Sequence, residues 1–341
     1  MNKIMKTNNE KLLIWRFDNS EEENDILGPI AGNIKIIESE LNLNLILENG
    51  QITILDSVPS ELIKLLQNIF DVLAYLHKET LNIKERDVIS VITMLKKYEV
   101  EVVKSFYTNR KQVVVTNEGK PIYVKSITQS MYIDALDKNA ITFACGSAGT
   151  GKTYLAVAYA CGLLRKNKVK KLVITRPVVE AGEKLGFLPG DLKEKIDPYL
   201  IPIYDSLYEI LGKDVTDKMI LKGTIEIAPL AYMRGRTLDN SLIILDEAQN
   251  TTTSQMKMFL TRLGFNSKMI VTGDLTQIDL PIYQKSGLKE AVTLFEKIDD
   301  IAVIRFEQSD VMRHPLVSKI IEQYDTKVEL DRGKNDNTKF D

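Results

Sequence analysis

Residues Gly146-Ser147-Ala148-Gly149-Thr150-Gly151-Lys152-Thr153 match the pattern G-x-x-x-x-G-K-[ST]. They constrain the fold through what flanks them. Ile141–Cys145 is an apolar run suited to a buried strand, and 153–164 reads as an apolar helix. A strand, a glycine loop and a helix in that order turn backbone N–H groups inward. They also aim a helix N-terminus at the same point, which makes an anion cradle. In such a loop Gly146, Ser147, Ala148, Gly149, Thr150 and Gly151 wrap phosphate. Lys152 reaches the β- and γ-phosphates, and the Thr153 hydroxyl faces Mg²⁺. A glycine turn without a ligand is the plainer alternative.

Downstream, Ser241-Leu242-Ile243-Ile244-Leu245 is an apolar strand that ends in Asp246-Glu247. An acid at the C-terminal edge of such a strand can hold Mg²⁺, and the next one, Glu247, can polarise an attacking water. A helix-start acid pair would look the same in isolation. A third strand, 268–272, runs into Gly273-Asp274-Leu275-Thr276-Gln277, where Asp274 and Gln277 are placed to report on a γ-phosphate. Phosphoryl transfer also gains from an arginine, for which Arg176, Arg234, Arg236 and Arg313 are candidates that spacing does not separate. The Asp246 strand is followed by no N-K-x-D to select guanine, which favours ATP. Gln129, upstream of the loop, has an amide able to pair with adenine.

A length of 341 residues suits two domains. The spacing divides the chain into a small α/β unit over 1–100, a connector over 101–128, a nucleotide domain over 129–324 and a disordered polar tail over 325–341. In the first unit, 43–47 and Gln51–Leu55 read as strands around an Asn49-Gly50 turn, and 60–77 as a helix capped by Ser60. A hairpin is expected near 117–119. From 129 onward strands and helices alternate, which indicates a parallel sheet covered by helices.

The net charge of −2 predicts no strong general affinity for nucleic acid. The charge is uneven, with 11 basic against 16 acidic residues over 1–100 and 30 against 26 over 101–324. Any nucleic acid should therefore meet the second segment, and Arg165, Lys166, Lys168, Lys170 and Lys171 form its densest local patch. No apolar run reaches membrane-helix length and no signal peptide is evident, so a cytoplasmic protein is expected. Cys145, Cys161, His77, Met256 and Met258 read as packing residues, and His314 alone defines no metal site.

Over 124–324 the chain resembles the PhoH family of P-loop ATPases. The residues that carry the resemblance are the phosphate loop, Thr175-Arg176-Pro177, Glu180-Ala181-Gly182-Glu183-Lys184-Leu185-Gly186-Phe187-Leu188-Pro189-Gly190, Asp197-Pro198-Tyr199 and Met233-Arg234-Gly235-Arg236-Thr237. Asp246-Glu247-Ala248-Gln249-Asn250, Thr261-Arg262-Leu263-Gly264, Gly273-Asp274, Gln277, Ser286-Gly287-Leu288 and Arg313-His314 extend it. Several of these pieces also resemble superfamily 1 helicase motifs. The resemblance implies an α/β, RecA-like core in which one strand separates the phosphate-loop strand from the Asp246 strand. It also implies a KH-like N-terminal domain, ring-shaped homo-oligomers, RNA metabolism and partnership with a ribosomal-RNA-processing endoribonuclease. Arg313 would then act as a finger for a neighbouring subunit. The KH-type loop would correspond to Gly28-Pro29-Ile30-Ala31-Gly32, which is one residue too long and lacks basic residues. Two functions follow as expectations: an RNA-associated, helicase-like ATPase, or an ATP-switched assembly module that docks a nuclease without translocation. A small-molecule kinase fits less well, because Glu247 is suited to water.

Overall fold

The computed structural model describes residues 11–55, 58–81, 83–177, 192–281 and 283–311, with positions 317 and 320, and over 192–199 the backbone alone. Chain contacts divide it into two compact units, 1–112 with 123–130 and 113–122 with 131–341. Arg313, His314, the 180–190 motif and the 325–341 tail lie outside the described residues.

The first unit runs β1 (Lys11–Arg16), α1 (Ser20–Leu27), α2 (Gly32–Leu41), β2 (Ile46–Glu48), β3 (Gln51–Leu55), α3 (Ser60–Lys78), α4 (Glu85–Leu95) and α5 (Val100–Thr108). Its antiparallel sheet has the order β1-β3-β2. Asn49 and Gly50 both take positive φ, as a tight two-residue hairpin requires. Alternate residues of β3, Ile52 and Ile54, are buried, as are Leu66, Ile69, Phe70 and Leu73 of α3. Trp15 stacks on Phe70 at 6.2 Å between ring centroids. One local expectation is corrected. Ser60 is the first helical residue, Pro59 holds the cap position, and no side-chain cap bond forms. The fixed proline φ opens the helix instead.

The second unit takes residues 113–122 of the hairpin of β4 (Gln112–Val115) and β5 (Pro121–Tyr123); α6 (Ile127–Lys138) begins in the first unit and ends in the second. Then follow β6 (Ile141–Cys145), α7 (Lys152–Arg165), β7 (Lys171–Arg176), α8 (Leu192–Leu211), α9 (Lys213–Leu221) and β8 (Ile225–Pro229). After them come β9 (Ser241–Leu245), α10 (Thr253–Leu260), β10 (Lys268–Gly273), α11 (Gly287–Phe295) and β11 (Ile301–Arg305). Six strands form one parallel sheet in the order β11-β6-β10-β9-β7-β8. Every residue of β6 and β9 is buried, because helices cover both faces of a parallel sheet, and this is why both read as unbroken apolar runs. As the resemblance implies, one strand, β10, lies between β6 and β9. The loops that leave β6, β10 and β9 therefore share one edge of the sheet, the usual place for a ligand in such folds. Among the described residues no helix is long and apolar enough to cross a membrane.

Candidate nucleotide site

The chain leaves β6 into the phosphate loop at Gly146, whose φ of 147° lies where only glycine is at ease. A Cβ there would collide with the Phe306 carbonyl oxygen. Gly151 caps α7 in a left-handed conformation, and the helix begins at Lys152. Lys152 is buried, and its Nζ donates to Gly146 O at 2.7 Å and to Ser147 O at 2.8 Å. Burial lowers its pKa, while Asp274, Asp246 and Glu247 oppose that shift. The loop thus holds a partly desolvated cation over a helix N-terminus, the electrostatics a polyphosphate needs.

Three acids from two strands complete the edge. The Asp246 Oδ1 accepts from Thr153 Oγ1 and from Thr272 Oγ1, each at 2.7 Å. Glu247 sits in a left-handed conformation, with φ of 52° and ψ of 38°. Its Oε1 accepts from Arg176 at 2.7 Å and its Oε2 from Gln249 Nε2 at 2.5 Å. Asp274 is buried. Its Oδ2 accepts from the Ala148 backbone N–H at 3.0 Å, and its Oδ1 accepts from Thr276 N at 2.9 Å and Thr276 Oγ1 at 2.6 Å. A pocket of about 250 Å³ lies among these groups, and its lining includes Ala148, Lys152, Thr153, Glu247, Asp274 and Gln277.

Gly149, Gly151 and Asp246 also line that pocket, while Gly146 and Ser147 contribute the carbonyls that hold Lys152. Thr150 is fully buried and ties its hydroxyl to Ser147 O at 3.0 Å. Gln129 belongs to the first unit, where its Oε1 accepts from Lys125 N at 2.6 Å. Of the four arginines, Arg176 pairs with Glu247 and Arg236 with Glu226, Arg234 is exposed, and Arg313 lies outside the described residues. The basic patch is also thinner than its sequence suggests. Lys171 pairs with Glu226 at 2.6 Å, while Arg165, which donates to the carbonyls of Val115 and Ile210, is exposed together with Lys166, Lys168 and Lys170.

Three residues go beyond the site expected from sequence. Tyr154 and Gly273 line the pocket, and Thr272 holds Asp246. Thr272 is a polar residue at the end of an apolar strand, a signal readable in principle. Both cysteines are buried, which pushes the Cys145 thiol up to about 11 and Cys161 to about 12, so they behave as packing residues. Met256 is buried in the core beside the sheet, with Met258 packed against it. His77 pairs with Asp25 at 2.8 Å in the first unit. Among the described residues no cluster of His, Cys, Asp and Glu suits a metal held by such side chains alone.

The family model described as PhoH-like protein matches residues 121–325. A PhoH-like protein of Bacillus subtilis is 51% identical over 310 residues, covering 91% of this chain and 96% of the relative. A PhoH-like protein of Mycobacterium leprae is 55% identical over 222 residues, 65% of this chain and 64% of its own length. The Protein PhoH of Escherichia coli is 40% identical over 251 residues, 73% of this chain and 69% of its own. The matched segment contains the phosphate loop, the Asp246-Glu247 pair and Asp274 together. The chain belongs to the PhoH family.

Proposed function

We propose that this site hydrolyses ATP to ADP and phosphate. The observation that carries the reading is the meeting of Lys152, Thr153, Asp246 and Glu247 on one small pocket at the sheet edge. Thr153 and Asp246 supply a hydroxyl and a carboxylate oxygen side by side, a donor set that fits magnesium. When bound, Mg²⁺ would neutralise charge between the β- and γ-phosphates. Lys152 would exchange its hold on the Gly146 and Ser147 carbonyls for phosphate oxygens. The Ala148 N–H, given to Asp274 in the structure, would turn to phosphate in the same way. Glu247 would take the proton of the attacking water, with Asp274 and Gln277 reporting on the γ-phosphate. Arg313 as a finger across a homo-oligomeric ring completes the proposal.

For the wider role we favour RNA metabolism, with helicase-like remodelling at the second unit. A second reading is an ATP-switched module that docks an endoribonuclease, and one observation in the first unit favours it. The Gly28–Gly32 turn, the stretch expected to be KH-like, borders a groove of about 690 Å³ whose wall includes Glu21 and Asp25. Carboxylates there oppose a phosphate backbone, so this unit suits docking better than RNA clamping.

The test is steady-state phosphate release from ATP, with and without single-stranded RNA, in wild type and Glu247→Gln. RNA-stimulated release that disappears in the variant supports the motor. RNA-indifferent release that disappears supports the docking module. Undiminished release in the variant overturns Glu247 as the base.

A further inference from the structure

Gln249 is 1% exposed, yet its side-chain amide is oriented by two groups of opposite kind. Nε2 donates to Glu247 Oε2 at 2.5 Å, and Oε1 accepts from the Asp274 backbone N–H at 3.0 Å. A flipped amide would set oxygen against carboxylate and NH₂ against N–H, so the chemistry fixes one orientation. The backbone is fixed as well, since Gln249 O accepts from Ser286 Oγ at 2.8 Å. The approach depends on Gly273, where a Cβ would stand 2.8 Å from Gln249 Oε1 and 2.5 Å from Leu288 Cδ2. Because Asp274 also accepts from Ala148, a continuous path runs from the phosphate loop through Asp274 and Gln249 to Glu247, whose other oxygen Arg176 holds.

We propose that Gln249 is a positioning residue that couples the Glu247 carboxylate to the Asp274 arm of the phosphate loop. The inference rests on the hydrolytic reading of Glu247. Displacement of Asp274 from Ala148 N–H by phosphate would move the Asp274 backbone, and Gln249 would pass that movement to the base. Gln249 touches no reacting atom. Its contribution is to aim Glu247, and misplacing a reacting group by about 1 Å costs on the order of 100-fold.

The experiment compares Gln249→Leu and Gln249→Glu, each in wild type and in the Glu247→Gln background, by single-turnover hydrolysis and by binding of a fluorescent ATP analogue. Gln249→Glu keeps an acceptor for the Asp274 N–H and turns a carboxylate oxygen on Glu247. The expected result is a fall in turnover of about 10- to 100-fold with nucleotide affinity within about twofold. No further fall is expected once Glu247 is already Gln, because residues that act as one unit are not additive. Full turnover in both variants overturns the coupling. So does an equal loss in both backgrounds, or a loss of nucleotide binding in step with turnover, since either marks a structural role. If neither variant folds, Gln249 is a structural residue and the proposal fails. If Glu247→Gln alone keeps full turnover, the hydrolytic reading falls and takes this inference with it.

Discussion

The Thr153 hydroxyl donates 2.7 Å to Oδ1 of Asp246, joining the start of α7 to the end of β9 across 93 positions of sequence. Thr272 donates to the same oxygen, so the carboxylate is aimed from two sides. Aimed ligands bind metal more tightly than free ones, because their ordering cost is met on folding. Thr153→Ala is expected to raise the magnesium concentration that half-saturates hydrolysis by about tenfold or more. Thr153→Ser should stay close to wild type. Magnesium titration of phosphate release checks both.

Lys152→Met should separate stability from binding. Desolvation is the largest influence on Lys152 and lowers its pKa, so the folded chain bears a cost for the charged form that the unfolded chain does not. That cost is present below the lowered pKa and fades as pH rises through it. This desolvation contribution should therefore favour Lys152→Met in the protein without nucleotide near pH 7, and the advantage should shrink as pH climbs. Affinity for ATP should fall about tenfold or more. Melting curves at several pH values, with a nucleotide titration, measure both.

Glu226 gives a prediction of opposite sign. Arg236 grips both its oxygens, at 2.6 and 2.8 Å, and Lys171 adds a third contact. These partners, the Arg236 hydrogen bond first, hold the carboxyl down at about 2. A depressed carboxylate adds stability above its unfolded pKa and loses it as pH falls through the folded value. Since the site is partly open to solvent screening, Glu226→Gln should cost about 1 kcal/mol at pH 7. The gap should close between about pH 4.5 and 2. Urea denaturation across that range decides it.

The phosphate loop and both acids of the Asp246-Glu247 pair were legible because their chemistry is local: strand, loop and helix are contiguous in sequence. β6 and Gln51–Leu55 were legible for the same kind of reason, one as an unbroken buried run and the other by alternation. What escaped is contact made across the fold. Asp274 meets Ala148 across 126 positions, and neither residue type announces the other. Lys171 belongs to the densest basic run of the sequence, but its partner is Glu226 on another strand. The strand expected over 43–47 lies at Ile46–Glu48, because pairing with β3 sets its limits and composition does not.

Gly146 yields one last consequence. The Phe306 backbone N–H donates to Cys145 O at 2.7 Å, and the missing Cβ of Gly146 lets the Phe306 carbonyl lie directly against the loop. The phosphate loop and the end of β11 thus stay in register: the ladder between β11 and β6 runs up to Arg305 and Cys145, and the Phe306 contacts carry it one residue further, onto the loop itself.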